Sequence, residues 1–342
     1  MSWLDGDDAD DDGAWGHYDE SAAKVRPNPK ANRPRSKRRP DHADAVTGRV
    51  LGVDRGRYTV WLDDHVLTAA RARELGKKSV VTGDQVDLVG DTTGETGSLA
   101  RIVRIQPRQT LLRRSADDSD AVERIVVANA DQMLVVVAAA NPEPRARLVD
   151  RYLVAAYDAG IHPILVITNT DLADPEPFLA AFAGLDLDIV RSRSDEPPLD
   201  ELRELLDGHS TVAVGHSGVG KSTLVNALVP DARRATGVVN DVTGRGRHTS
   251  SSTESYALGS GWIIDTPGVR SFGLGHVDPD NFLKGFTDLA EAAKECPRGC
   301  THLPDSPDCA IAEAVAEGRL GPTGAARLDS FHRLMSTLRA VR

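Results

Sequence analysis

The stretch VAVGHSGVGKSTLVNAL, Val212–Leu228, decides the fold. An apolar run suited to a buried strand leads into the pattern Gly-x4-Gly-Lys-Ser, and a segment suited to a helix follows it. In this pattern the glycines allow backbone N–H groups to close around phosphate oxygens, the lysine reaches the β- and γ-phosphates, and the serine can bind Mg²⁺. We therefore predict a nucleotide-binding loop formed by Gly215, His216, Ser217, Gly218, Val219, Gly220, Lys221, Ser222 and Thr223.

A second motif, DTPG at Asp265–Gly268, closes the apolar segment GWII. An aspartate at the end of a strand can hold the water shell of Mg²⁺, and Gly268 can offer its N–H group to a γ-phosphate. Four such residues alone also suit a β-turn, but the preceding phosphate loop favours a nucleotide site. Between the two motifs, the Gly- and Ser-rich segment Val242–Ser252 has the position and composition of a switch loop ordered by γ-phosphate and Mg²⁺.

The residues expected to read the base precede the phosphate loop. The segment Thr168-Asn169-Thr170-Asp171 follows the apolar run ILVI. A carboxylate at Asp171 can accept two hydrogen bonds from the N1 and N2 donors of guanine, which adenine lacks. Val190–Ser192 comes next and could pack against the base. The order of parts is therefore base reader, base lid, phosphate loop, switch loop and DTPG, which is a circular permutation of the usual order.

The remaining segments predict two kinds of structure around this site. Val46–Asp64 and the segments up to about residue 107 contain short apolar runs separated by Gly-bearing turns. This pattern is typical of a small β-barrel of the OB type, although the number of strands leaves other small β-modules open. From Ile125 onwards, buried strands alternate with helical segments, which predicts a parallel sheet covered on both faces.

Charge and composition limit the partners. The net charge is −10, but the opening acidic segment is followed by Lys24–Pro40, which carries only basic charges. Such an arm suits contact with RNA phosphates, and the alternative is a solvated tail whose halves attract each other. The longest apolar run, Met133–Ala140, is too short to span a bilayer. Three cysteines favour a reducing compartment, so we expect a cytoplasmic monomer with no membrane partner.

From Val46 to the C-terminus, the chain resembles the ribosome small subunit-dependent GTPase A family. The resemblance rests on GHSGVGKST, GRGRHTSS and DTPGVR, on the permuted order, on the barrel ahead and on a Cys/His cluster behind. It implies an OB-fold that contacts ribosomal RNA and a GTPase stimulated by the small ribosomal subunit, acting late in that subunit's maturation. We expect four segments: an acidic then basic disordered tail (1–44), an OB-fold RNA-binding domain (45–107), a circularly permuted GTPase domain (108–275) and a helical zinc-binding domain (276–342).

Two departures from the family pattern concern affinity and catalysis. Thr168 and Asn169 stand where the family usually has Asn and Lys, so we expect a retained preference for guanine with weaker affinity. Val269 stands where many GTPases have a glutamine that orients the attacking water. His248 is the candidate catalytic residue, as the resemblance also suggests, and the alternative is that it only packs the loop. Thr249 and Ser250 are the candidate switch hydroxyls for Mg²⁺.

All three cysteines lie in CPRGCTHLPDSPDC, as Cys296, Cys300 and Cys309, with His302 among them. Three thiolates and one imidazole complete a tetrahedral shell for structural Zn²⁺, and the spacing matches the family's zinc site. The alternative is a set of buried thiols beside a surface histidine. We expect one Zn²⁺ and, with GTP, Mg²⁺ held by Ser222.

The preferred interpretation is a GTP hydrolase that binds the small ribosomal subunit and its rRNA, with GTP and GDP as ligands. Switch-loop changes would be passed to the barrel and the zinc domain. One alternative is an RNA-binding nucleotide sensor with a degenerate, weakly hydrolytic GTPase. Another is a P-loop kinase or ATPase that acts on a small molecule, against which Asp171 argues.

Overall fold

The computed structural model describes residues 42–75, 79–115, 123–230, 253–267, 272, 274, 277 and 279–339. The predicted tail up to residue 41 lies outside this part of the chain. The same holds for four residues of the predicted site, namely His248, Thr249, Ser250 and Gly268.

The N-terminal part is a five-stranded barrel. Its strands are β1 (Val46–Asp54), β2 (Arg57–Leu62), β3 (His65–Arg71), β4 (Gln85–Gly90) and β5 (Ala100–Ile105). They close in the order β1-β2-β3-β5-β4-β1, with β3 and β5 parallel and the other pairs antiparallel. Arg55 and Gly56 both have positive φ, 45° and 83°, as the tight turn of a twisted hairpin requires. Alternate apolar residues fill the interior, including Val50, Val60, Leu88 and Ile102, so the predicted barrel is confirmed.

A hairpin and a six-strand sheet follow the barrel. The hairpin consists of β6 (Leu111–Ser115) and β7 (Glu123–Ala128), and the sheet of β8 (Gln132–Ala138), β9 (His162–Thr168), β10 (Asp188–Arg191), β11 (Ser210–Gly215), β12 (Glu254–Leu258) and β13 (Gly261–Asp265). The strand order is β10-β9-β8-β11-β13-β12. Every neighbouring pair is parallel except β12 and β13, which are antiparallel. All seven residues of β8 are buried, as expected of a central strand covered on both faces.

Helices cover both faces of this sheet. They are α1 (Ala146–Ala159), the short α2 (Glu176–Leu179), α3 (Leu199–Leu206) and α4 (Lys221–Leu228). Because side chains alternate along a strand, Val135 and Val137 of β8 pack on the side of α1. Leu134 and Val136 pack on the opposite side, with α3 and α4. The predicted helix stop at Gly160 is present, since this residue caps α1 with a left-handed φ of 69°.

The barrel is hydrogen-bonded to the sheet. Gly52 of β1 pairs with Glu254 of β12, and the Thr82 hydroxyl donates to the carbonyl oxygen of Thr253 at 3.1 Å. Next to these contacts, the Nη2 of Arg49 donates to the hydroxyl of Ser210 at 2.6 Å. The barrel therefore contacts the edge strand β12 and the first residue of β11.

The C-terminal helices pack on α1. They are α5 (Pro279–Phe282), α6 (Thr287–Ala293), α7 (Ala310–Ala316) and α8 (Gly324–Arg339). The ring of Phe286 lies 5.9 Å from the rings of both Tyr157 and Phe331, measured between centroids. The buried apolar residues of α1 and α8 belong to one continuous hydrophobic cluster. The predicted boundary between residues 275 and 276 thus divides two segments of the chain, but residues from both segments share one hydrophobic core.

Candidate functional site

The phosphate loop lies at the carboxyl end of β11, where its glycines are required by geometry. Gly218 and Gly220 have φ values of 85° and 88°, which side-chain-bearing residues rarely adopt. A Cβ atom at Gly215 would lie 2.6 Å from the carbonyl oxygen of Val136. Gly220 is the N-cap of α4, whose first turn exposes Ser222 and Thr223. Backbone N–H groups, a helix N-terminus and a serine hydroxyl are therefore available for phosphate oxygens and Mg²⁺.

Lys221 and Asp265 form a buried ion pair at the centre of the site. They are close because β11 and β13 are parallel neighbours, with Ala213 opposite Asp265. The Thr266 hydroxyl donates to the carbonyl oxygen of Ala213 at 2.7 Å and fixes the end of β13. A nucleotide phosphate that accepts from Lys221 would release the Asp265 carboxylate to the water shell of Mg²⁺.

The predicted base-reading segment lies against the phosphate loop. Thr168 is the last residue of β9, and its hydroxyl donates to the carbonyl oxygen of Val219 at 2.7 Å. The side-chain amide of Asn169 donates to the carbonyl oxygen of Ala140 at 3.1 Å. The hydroxyl of Thr168 thus ties the end of β9 to the loop that would hold the phosphates, although the family pattern usually has an asparagine there.

Asp171 is oriented by a serine that sequence reasoning missed. Its two carboxylate oxygens accept hydrogen bonds from the Ser194 N–H group at 2.8 Å and from the Ser194 hydroxyl at 2.6 Å. The hydrogen bond from the hydroxyl, followed by that from the backbone, lowers the pKa of Asp171. The carboxylate is exposed, and its remaining lone pairs can accept from a base.

The residues of the predicted base lid, Val190–Ser192, mainly make contacts within the protein. Val190 and Ser192 are buried, and the Ser192 N–H group donates to the carbonyl oxygen of Ile167. The carbonyl oxygen of Ser192 in turn accepts from the N–H group of Thr170 at 3.2 Å. Arg191 pairs with Glu176. A second serine soon after the strand, at position 194, was the available signal for the residue that contacts Asp171.

The Cys/His cluster has the geometry of a metal site. One ligand atom each from Cys296, Cys300, His302 and Cys309 lies within 4.8 Å of every other. The Nδ1 of His302 is 3.5 Å from the Sγ of Cys296 and 3.9 Å from the Sγ of Cys309. Zinc bonds of about 2.0–2.3 Å in a tetrahedron place the ligand atoms roughly 3.4–3.8 Å apart. The residues present therefore fit a single tetrahedral ion.

Hydrogen bonds reach the sulfur atoms of the cluster, but the net effect on the pKa differs between Cys296 and Cys300. The Ala310 N–H group donates to the Sγ of Cys296 at 3.3 Å. Burial raises the pKa of Cys296 despite this bond. At Cys300, burial acts in the same upward direction, but hydrogen bonds from Ser306 and from the His302 backbone outweigh it and lower the pKa. The carbonyl oxygen of His302 contacts the Nε2 of His332 at 2.9 Å, which links the cluster to α8.

The RsgA GTPase family model matches residues 105–275. A curated relative, the small ribosomal subunit biogenesis GTPase RsgA of Pseudomonas aeruginosa, is 38% identical over 269 residues, covering 76% of each chain. The chain belongs to the RsgA GTPase family. It is accordingly a GTP hydrolase, and the family does not favour the alternative of an RNA-binding nucleotide sensor with a degenerate, weakly hydrolytic GTPase. Another RsgA, from Ectopseudomonas mendocina, is 37% identical over 76% of this chain and 75% of the relative.

Two solved structures share the fold. One is described as YloQ, a circularly permuted GTPase, with a TM-score of 0.63 and 24% identity over 89% of this chain and 99% of that one. The other is YjeQ from Thermotoga maritima, with a TM-score of 0.60 and 24% identity over 85% and 99%. They confirm the predicted barrel, permuted α/β domain and C-terminal helices. In the part of the chain that the structure describes, no helix is long and apolar enough to cross a membrane.

Proposed function

We propose that this RsgA-family GTPase binds the small ribosomal subunit and its rRNA and assists the late maturation of that subunit. The observation that carries the nucleotide-binding part of the proposal is the contact between Thr168 and the phosphate loop. That contact joins the base reader to the loop in permuted order, on a chain that also carries the barrel. Relatives with 38% identity over 269 residues are named small ribosomal subunit biogenesis GTPases.

Each residue of the site has a distinct part in this proposal. Asp171 accepts from the N1 and N2 groups of guanine, which gives preference for GTP and GDP. Lys221 donates to the β- and γ-phosphates, and the Gly268 N–H group donates to the γ-phosphate. Ser222 and Asp265 would hold Mg²⁺, and the bound ion would neutralise phosphate charge. Since Val269 cannot orient water, His248 takes that task when the subunit orders the switch residues Thr249 and Ser250.

The barrel supplies contacts with RNA, and the Cys/His cluster has a structural role. Exposed arginines on the barrel, among them Arg55, Arg57, Arg71 and Arg101, would neutralise phosphates, and the basic arm Lys24–Pro40 would add to them. Cys296, Cys300, His302 and Cys309 would hold one structural Zn²⁺, because a filled four-ligand shell leaves no open position for catalysis. Stoichiometric zinc after gentle purification is the expected result of metal analysis. We further propose a cytoplasmic monomer.

Cosedimentation tests the partner. The protein should pellet with small subunits but not with large subunits, and more of it should pellet with a GTP analogue than with GDP. Single-turnover hydrolysis should be slow for the free protein and faster with small subunits. Equal pelleting with both subunits, or equal rates with and without them, would contradict the proposal.

Substitution of His248 tests the catalytic assignment. His248→Ala should lower subunit-stimulated turnover by roughly 10²–10⁴-fold, the usual contribution of a positioned proton-transfer group. The affinity for GTP should stay within about twofold. His162→Ala is the matched control, because that exposed histidine lies at the opposite end of β9 and pairs with Asp188. A large loss of GTP affinity in His248→Ala would assign the residue to binding instead.

A further inference from the structure

A cavity lies at the end of the sheet opposite the nucleotide site. It has a volume of about 280 Å³ and is lined by Arg49 of the barrel, Gln109, Asp131, His209, Ser210 and Trp262, with neighbouring backbone. Ser210 begins β11 and Gly215 ends it, so the cavity and the phosphate loop are about 16 Å apart along that strand, at 3.3 Å per residue. The cavity is thus separate from the GTP site, and it lies where the barrel meets the sheet.

Arg49 is the unusual residue of this cavity. Only 8% of the residue is exposed. Its Nη2 donates to Ser210, and its guanidinium lies 5.2 Å from the ring centroid of Trp262. Its Nε is buried and has no hydrogen-bond partner among the described residues. Burial lowers the pKa of Arg49 to about 10, and the charge of Asp131 opposes that shift only in part. A buried cation whose charge is compensated only in part requires an explanation.

Asp131 compensates the charge of Arg49 only in part, and each of its carboxylate oxygens already holds one hydrogen bond within the protein. Oδ1 accepts from the Ser210 N–H group at 2.7 Å, and Oδ2 contacts the Nδ1 of His209 at 2.8 Å. The carboxylate therefore orients His209 and the start of β11. The guanidinium of Arg49 lines the cavity, beside the exposed residues Gln109 and His209.

We propose that this junction cavity binds a phosphate group, with Arg49 as its main cationic contact. Tetrahedral oxyanions accept several hydrogen bonds at once and suit the fork of an arginine. The cavity is slightly smaller than the pockets of roughly 300–1,000 Å³ that enclose drug-sized ligands, so it fits a phosphate and its immediate substituent. That phosphate can come from an RNA backbone, since the barrel beside the cavity exposes arginines, or from free phosphate in solution.

The test uses the full chain saturated with GDP and Mg²⁺, so that the phosphate loop is filled. Trp3→Phe and Trp15→Phe leave only Trp61 and Trp262, whose ring centroids are 6.0 Å apart at the junction. Inorganic phosphate is titrated at constant ionic strength, with sodium chloride as the reference salt, and tryptophan fluorescence is followed. A saturable response to phosphate, absent with chloride, is expected. Arg49→Met should weaken it at least tenfold, whereas Arg57→Met, a change at an exposed arginine of the same barrel, should not.

A single-stranded RNA oligonucleotide distinguishes the two sources. If the site takes RNA phosphates, Arg49→Met weakens oligonucleotide binding and inorganic phosphate competes with it. If it takes free phosphate, oligonucleotide binding is the same in both proteins while the phosphate titration still depends on Arg49. A phosphate response equal to that of chloride, or one unchanged in Arg49→Met, overturns the proposal. If circular dichroism shows that Arg49→Met does not fold, the test rests on the protein with Arg49 intact. A saturable response to phosphate and none to chloride then supports the proposal, and equal responses to the two salts overturn it.

Discussion

Asp171 and Ser194 act as a pair at the scale of single residues. The two hydrogen bonds from Ser194 fix the plane of the carboxylate and lower its pKa. Only the ionised carboxylate can accept from both guanine donors. The serine therefore keeps Asp171 in the acceptor form down to a lower pH than an unassisted aspartate would reach.

Replacing Ser194 with alanine should weaken GDP binding. Loss of the hydroxyl bond leaves the plane of the carboxylate less well fixed, so the affinity for GDP should fall roughly fivefold. Because the hydrogen bonds lower the pKa of Asp171, their loss raises it, and affinity should begin to fall at a higher pH as the solution is acidified. Fluorescent GDP titrations from acidic to neutral pH measure both effects.

The control for Ser194→Ala is Ser260→Ala. Ser260 makes a similar serine–aspartate contact with Asp207, with both donors within 3.0 Å of one carboxylate oxygen, at the end of the sheet away from the nucleotide. Equal losses of GDP affinity in the two variants would show that Ser194 acts through stability rather than through Asp171.

The sequence predicted the position of Asp171 but not the groups that support it. The family pattern led us to expect an asparagine where Thr168 stands, and hence a weaker base reader. A hydroxyl and an amide can both donate to a carbonyl oxygen, and only the 2.7 Å distance from Thr168 to Val219 shows that the bond is made. Pattern matching by residue type does not capture such an exchange.

At the scale of elements, α8 is joined to α1 through a buried charge. The side chain of Asp150 on α1 is 2% exposed, and that of Arg333 on α8 is 31% exposed. The Nε of Arg333 donates to Asp150 at 3.2 Å, and its guanidinium lies 5.0 Å from the ring centroid of Phe182. Burial raises the pKa of Asp150, although the charge of Arg333 opposes it.

Arg333→Met should leave Asp150 buried without its cation and lower the free energy of unfolding by about 3 kcal/mol at neutral pH. A carboxyl whose folded pKa lies above its unfolded value binds more protons when folded, so stability falls as pH rises through the folded pKa. The loss in Arg333→Met should therefore be smaller near pH 5 than near pH 7.5. Denaturant unfolding at both pH values measures the loss of stability. The double variant Asp150→Asn with Arg333→Met should recover most of the lost free energy of unfolding. A pH-independent loss would argue for lost packing alone.

Periodicity predicted the helices and the parallel strands, but it predicted neither β12 nor the direction of that strand. The prediction was a parallel sheet, whereas β12 runs antiparallel to β13. Only Gly259 and Ser260 join the two strands, and a parallel connection needs a dozen residues or more. Gly259 has a positive φ of 58° at this turn, so the direction of β12 could have been read from the length of its link.

At the scale of the molecule, the described residues form separate cores for the barrel and for the α1 side of the sheet. The latter extends without a break from β8 and α1 to α8 and includes Cys309. Apolar spacing in a sequence shows which face of a helix is buried, but not which distant helix covers it. The sequence accordingly predicted a separate C-terminal zinc-binding domain. The contact of Phe286 with both Tyr157 and Phe331 shows that these C-terminal helices share their core with the GTPase domain.

Removal of the proposed Zn²⁺ should therefore destabilise more than the C-terminal helices. Because Cys309 lies in the shared core, loss of the ion should loosen α7, α8 and α1 together, and calorimetry should show a single transition for them at lower temperature. At roughly 2–4 °C per kcal/mol, a metal contribution of about 2 kcal/mol would shift it by about 4–8 °C. Hydrogen exchange should rise in α1 and α8 after chelation, while the barrel strands, which have their own core, keep their protection. A separate early transition confined to residues 279–339 would instead mean that the shared core does not couple the two parts.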